Sequence, residues 1–254
     1  RPPISTLFPY TTLFRSGPVG AESAFTELGF KSAVIIDDST PYGEGLAAEF
    51  AKKYEELGGD VLFSEKTNDK DTDFQALVTK IKSQNPEVVY YGGIYNAAAL
   101  LSKQMKDAGV EAPLMGGDGM YDGEYINLAG AENAEGDYCT SVGLPVEKLP
   151  AGQEFLDAYK AAYPNDEVAA YDAYSFDAAQ IIIEAVFTVA EELGADQVTT
   201  PAGRDAIIAA VAATSFDGVT GNLSFDEFGD TNNKAITTYK VENGKWIPAI
   251  IPGE

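Results

Sequence analysis

Ala33 to Gly45 reads AVIIDDSTPYGEG, and its two halves decide the fold. Ala33–Asp37 is a continuous apolar run closed by an acid, as expected of a strand buried on both faces. The chain then turns through Asp38-Ser39-Thr40-Pro41 and enters a helix. Leu46, Phe50, Tyr54 and Leu57 recur there at helical spacing, and Gly58 supplies a stop.

The same alternation continues downstream. Val61–Phe63 is the next strand. Thr72 with Gln75 fits a capping box, and Phe74, Leu77, Val78 and Ile81 follow on one helical face. Val88–Tyr91 is a third strand. Leu100, Leu101, Gln104, Met105 and Ala108 mark a helix ended by Gly109. Leu114 and Met115 begin a fourth strand, and Asp137–Val142 forms a fifth. Strands alternating with helices predict an α/β fold, a doubly wound parallel sheet with helices on both faces.

After Pro145 and Pro150 helices dominate, over about 153–163, 172–193 and 202–213. Thr200 and Pro201 give the last an N-cap and a proline at its first position. The middle helix carries Ile181, Ile182, Ile183, Val186 and Phe187, so it should cover something large. Few strands lie nearby, so its sheet is expected from residues outside this sequence. VENGKW, Val241–Trp246, reads as a hairpin with an Asn-Gly turn.

Composition narrows the function classes. The 254 residues are 45% hydrophobic and 22% charged, enough for a sizeable core. Forty acidic against 17 basic residues give a net charge of −23, which repels nucleic acid and anionic membranes. Histidine is absent and Cys139 is the single cysteine. That leaves no disulfide within the chain and no Cys/His zinc site. Cys139 lies in an apolar stretch and reads as a small core residue rather than a nucleophile. No uninterrupted apolar run reaches the length of a membrane span, and no signal peptide is visible.

The start has a separate character. Thr6–Ser16 reads TLFPYTTLFRS, which resembles the in-frame translation of a widely used short-read sequencing adapter. Residues 1–16 are therefore expected to be a non-native leader, with any signal sequence lost upstream of Gly17.

In open parallel sheets, ligands bind beyond the carboxyl ends of the strands. The segments there are Asp37–Gly45, Gly92-Gly93-Ile94-Tyr95-Asn96 and Gly116-Gly117-Asp118-Gly119-Met120-Tyr121. Paired glycines let a ligand approach the backbone. Tyr42, Tyr95 and Asp118 add aromatic faces and one carboxylate, a cradle for a small cation with an apolar tail. Each has a plainer reading too. Tyr42 and Tyr95 could be packing residues at helix starts, and Asp118 a turn or N-cap residue. No G-x-S-x-G, P-loop or dinucleotide fingerprint occurs, and without histidine the common base is missing, so no catalytic residue is assigned. Asp226-Glu227 and Asp230 lack the spacing of an EF-hand loop and read as a polar turn. No cofactor and no metal ligand is expected.

Five stretches carry a resemblance to the leucine/isoleucine/valine-binding receptors of ABC importers, the type I periplasmic binding proteins. They are Ala33–Gly45, Asp73–Gly109, PLMGGDGM at Pro113–Met120, YDAYSFDAAQ at Tyr171–Gln180 and GVTGNLSFDEFGD at Gly218–Asp230. The resemblance implies two α/β lobes joined by crossovers and closing on a ligand. It implies the second lobe over residues 17–145, a helical remainder of a mostly missing first lobe over 146–220, and strands over 221–254 returning toward the second lobe. Asp118 would pair with the ligand's α-ammonium, Tyr42 would pack on the ligand, and Tyr171 would supply an aromatic wall. The backbone at Gly93 and Gly117 would border the ligand. The family often carries a ligand-facing aromatic after the glycine pair. Here Ile94 stands at that position and Tyr95 follows, so Tyr95 is the aromatic candidate. The implied protein is a monomeric, extracytoplasmic receptor, free or lipid-anchored, with an amino acid and an importer permease as partners. A sensor of amides, urea or amino acids on the same fold is the alternative, and an acidic α/β enzyme the third reading.

Overall fold

The computed structural model describes residues 12–166, 168–169 and 171–253. Residues 1–11 of the expected leader lie outside them. The chain divides into two compact units, one running to Val142 and resuming over Ile236–Glu254, the other Gly143–Ala235.

The first unit is built on a seven-stranded sheet. Its strands are β1 (Ser32–Asp37), β2 (Asp60–Lys66), β3 (Val88–Gly92), β4 (Leu114–Gly116), β5 (Tyr138–Val142), β8 (Ile236–Glu242) and β9 (Lys245–Ile250). The order is β2-β1-β3-β4-β5-β8-β9. The first five strands are parallel, and β8 and β9 add an antiparallel edge. Successive side chains alternate between faces, so β1 and β3 feed two cores. Val34, Ile36, Val89 and Tyr91 join α3 (Gln75–Gln84), α4 (Tyr95–Asp107) and α5 (Gly123–Ala129) on one face. Ala33, Ile35, Val88 and Tyr90 meet α1 (Thr12–Glu22) and α2 (Pro41–Glu56) on the other. A short α6 (Ala131–Ala134) precedes β5. Cys139 is fully buried, where desolvation first and the Asp118 charge second raise its thiol pKa well above the ordinary value. That is a packing residue.

Helix ends follow local chemistry. Thr40 caps α2 by accepting from Gly43 N at 3.0 Å, with Pro41 next in the chain. The expected Thr72–Gln75 capping box does not form: Phe74 occupies the N-cap position of α3, with no side-chain cap bond. Gln104 of α4 holds that entry instead, accepting from Phe74 N at 2.7 Å and donating to Thr72 O at 2.9 Å. A tertiary clamp has replaced the local one. The β8–β9 turn has φ 53° at Asn243 and 71° at Gly244, the positive pair that an Asn-Gly hairpin turn requires.

The second unit holds α7 (Gly152–Ala162), α8 (Asp172–Leu193), α9 (Pro201–Ala212) and a small hairpin of β6 (Phe216–Gly218) and β7 (Gly221–Leu223). Because β7 pairs with β6, the chain rejoins the first unit's sheet at Ile236, later than the expected residue 221. Asp177 of α8 is fully buried and accepts from Val219 N at 2.9 Å, Thr220 N at 2.8 Å and Thr220 Oγ1 at 2.7 Å. This fixes the hairpin to α8.

By length and composition alone, α8 could cross a membrane. Asp177 and Glu184 interrupt its apolar run, so no uninterrupted stretch reaches the length of a span. In the fold, Ala173, Asp177, Ile181, Ala185 and Val189 form one buried face in steps of four. A fully bonded carboxylate on that face suits a packed helix of a folded unit. Phe176, Ile182, Ile183 and Phe187 remain exposed, Phe187 by 65%.

Candidate functional site

The strand register brings the carboxyl ends of β1, β3 and β4 level. Asp37 pairs with Gly92, and Tyr91 with Gly116. The loops that follow therefore leave the sheet side by side. The Tyr42 hydroxyl donates to Asp118 Oδ1 at 2.9 Å and accepts from Gly119 N at 3.1 Å. A residue in the first turn of α2 thus braces a carboxylate 76 positions away. Asp118 opens a single 3-10 turn, Asp118–Met120, and is 9% exposed.

Close backbone approach makes this possible. A methyl group on Gly117 would lie 2.5 Å from Leu46 Cδ2 and 3.1 Å from Tyr42 Oη. One on Gly119 would lie 2.9 Å from Gly93 O and 3.0 Å from Ile94 Cγ2. Gly43 and Gly92 meet reciprocally: a Cβ on either would overlap the other's carbonyl oxygen. Gly92→Ala is accordingly expected to cost about 1–3 kcal/mol, because backbone rather than a flexible side chain must give way. Urea denaturation measures this, and an unchanged midpoint would show that the two segments can separate freely.

Of the sequence candidates, Tyr42, Gly93, Asp118 and Gly117 share this rim. Ile94, 41% exposed, lies against Gly119, whereas Tyr95 is half-buried against the core cluster that α4 covers. The geometry brings Ile94 rather than Tyr95 to Asp118. The reason is strand parity and helix start: Ile94 is the extended N-cap residue of α4, and Tyr95 already belongs to the helix. Tyr171 stands in the second unit, at the N-cap position of α8, and is 41% exposed. Sequence reasoning passed over Asp38 and left Ile94 unused. The signal for Asp38 was its place two residues before Thr40, the spacing of an Asx turn.

The rim is electronegative. Tyr90 beneath it is fully buried, and desolvation raises its hydroxyl pKa well above the ordinary value, with Tyr42 and Asp118 adding to the shift. Burial also raises Tyr91, helped by the Asp38 charge. Neither phenol is a proton donor or base near neutral pH. A carboxylate framed by neutral hydroxyl and amide groups, with glycines around it, can hold a cation; it offers no nucleophile–base pair. Among the described residues no cluster of acidic or cysteine side chains could hold a metal ion.

A separate cleft of about 570 Å³ opens in the second unit, with Phe155, Tyr159, Tyr163, Phe176 and Phe216 in its walls. Its buried acid, Asp177, already accepts from three donors and is committed to the hairpin.

Comparison with known proteins bears on the family and the fold. The family model described as periplasmic binding protein matches residues 5–245. A leucine-, isoleucine-, valine-, threonine- and alanine-binding protein of Pseudomonas aeruginosa is 31% identical over 240 residues, covering 91% of this chain and 60% of that protein. A Leu/Ile/Val-binding protein homologue of Brucella abortus is 32% identical over 230 residues, covering 91% and 58%. This chain thus spans about three fifths of the curated relatives it matches. A leucine-binding protein from Thermotoga maritima superposes with a TM-score of 0.81 at 29% identity, over 94% of this chain and 66% of that one. A branched-chain amino-acid transporter substrate-binding protein from Streptococcus pneumoniae, solved with isoleucine, gives 0.78 at 27%, over 95% and 66%. With a family model matched along nearly the whole sequence and the same fold in solved members, the chain belongs to the periplasmic binding protein family.

Proposed function

We propose that this chain is part of an extracytoplasmic receptor that captures a branched-chain amino acid and delivers it to an ABC importer permease, without chemistry of its own. The observation that carries this is the Asp118 carboxylate, held by Tyr42 Oη at 2.9 Å at the carboxyl edge of a parallel sheet. An α-ammonium taken out of water needs such a partner. Ile94 beside it suits an aliphatic tail, which gains roughly 0.8 kcal/mol per buried CH₂. Tyr42 would pack on the ligand, and Gly93 and Gly117 would let it reach the backbone. The relatives named for leucine, isoleucine and valine support the ligand class. The receptor is proposed to act as a monomer.

Calorimetric titration of the full-length gene product with L-leucine, L-isoleucine and L-valine tests the reading. Saturable binding is expected, and none for 4-methylpentanoate, which has leucine's carbon skeleton but no ammonium. Equal binding of the deaminated acid, or none of the three amino acids, would sink it.

A further inference from the structure

The rim contains a second carboxylate that the roles above leave unused. Asp38 is 2% exposed. Its Oδ1 accepts from Thr40 N at 2.9 Å and from Thr40 Oγ1 at 2.6 Å. Thr40 Oγ1 in turn accepts from Gly43 N at 3.0 Å, so the carboxylate sets the first turn of α2, where Tyr42 stands. The Asp38 backbone N–H donates to Gly92 O at 3.0 Å. A methyl group on Gly93 would lie 2.8 Å from Oδ2, and one on Gly43 would overlap Oδ1. The carboxylate is therefore wedged between the loop that carries Tyr42 and the loop that carries Gly93 and Ile94. Ser39 beside it adopts a left-handed φ of 58°, a conformation that costs energy for a residue with a side chain. No lysine or arginine pairs with Asp38 among the described residues. An acid buried among neutral donors, beside a strained residue, is a poor choice for stability alone. It does fix two loops at once.

We propose that Asp38 is a positioning residue for the cation site. It acts through its accepting oxygens, not by touching ligand, and fixes Tyr42 and the Gly93–Ile94 backbone where they meet Asp118. The ligand class rests on the amino-acid reading; the loop geometry does not.

Two measurements on the full-length gene product test it: calorimetric titration with L-leucine, L-isoleucine and L-valine, and amide hydrogen exchange over residues 38–46 and 92–98. Asp38→Ala is expected to weaken binding by more than about tenfold and to speed exchange in both segments, since it orphans the Thr40 donors. Asp38→Asn retains an oxygen facing Thr40, so it should stay within about threefold and near the unaltered exchange pattern. Thr40→Val breaks the relay to Gly43 while leaving the acid. It should move both readouts as Asp38→Ala does, which covers the case in which that variant fails to fold. Unaltered exchange and affinity in folded Asp38→Ala would overturn the proposal, as would an asparagine variant as disrupted as the alanine one. If the unaltered protein binds none of the three amino acids, the receptor reading fails by itself, and the exchange comparison still decides the role of Asp38.

Discussion

Asp118→Ala should abolish amino-acid binding in the full-length gene product while leaving the fold in place. On the proposed reading, the ammonium of a captured amino acid would be desolvated as it enters the rim, and removing the partner of a buried charge costs about 3–5 kcal/mol. That is a loss of roughly 200- to 5,000-fold in affinity. The fold should tolerate the change because Asp118 sits on a single turn at the rim, outside both core clusters. Tyr42 keeps its bond from Gly119 N at 3.1 Å. Asp118→Asn separates charge from geometry, since it can still accept from the Tyr42 hydroxyl yet carries no charge for the ammonium. Its affinity should fall nearly as far. Calorimetry checks both variants; affinity unchanged in Asp118→Ala would remove Asp118 from the site, and affinity retained in Asp118→Asn would show that charge is not what the rim supplies.

The parts of the fold that sequence revealed are those where one physical signal dominates. Apolar runs gave β1, β3 and β4, because strands covered on both faces have no polar side to hide. Helical spacing gave α2, the Thr-Pro start gave α9, and the Asn-Gly pair gave the last hairpin. β8 was harder to read. Thr237 and Thr238 are buried within it, and Thr238 Oγ1 meets Ser23 Oγ at 2.8 Å, so a core strand looks polar. Its partner β5 is also separated from it by the whole second unit, and no local pattern reports such a pairing. Gly17, Pro18 and Gly20 likewise hide α1, whose packing needs the missing side chain: a Cβ on Gly17 would lie 2.7 Å from Leu46 O. At the candidate site, the rule that ligands gather at strand carboxyl ends picked loops that leave the sheet side by side. It could not choose between Ile94 and Tyr95, a choice set by where α4 begins. It also could not show that Asp38 faces inward, since an acid before Ser-Thr-Pro equally suits a solvated turn.

The largest expected effect on stability lies at the opposite edge of the same sheet. Asp137 is fully buried just before β5, accepting from Ser102 Oγ at 2.5 Å, Tyr125 Oη at 2.6 Å and Leu114 N at 2.7 Å. One carboxylate thus joins α4, α5 and the start of β4. Asp137→Ala would orphan three buried donors, each costing about 1–3 kcal/mol, so a loss of roughly 3 kcal/mol or more is expected. Desolvation raises the Asp137 pKa to about 6 from 3.8, and the hydrogen bonds from Ser102 and Tyr125, the Lys106 charge and the Leu114 amide only partly oppose it. A native pKa above the unfolded one means that the folded protein holds the proton more tightly. The resulting contribution is fully present below about pH 4 and is lost as pH rises through about 6, amounting to ~3 kcal/mol. Asp137→Asn lacks that titration. It can still accept from Leu114 N, and its amide can donate to the two hydroxyl oxygens. Urea denaturation of both proteins between pH 4 and 8 should show the asparagine variant gaining on the unaltered protein as pH rises, most steeply between the two pKa values of 3.8 and about 6 and levelling off above the upper one. Other acids titrate in both proteins and cancel in the difference. Parallel stability curves would mean that Asp137 stays ionised in the fold, with its three donors fully compensating its burial.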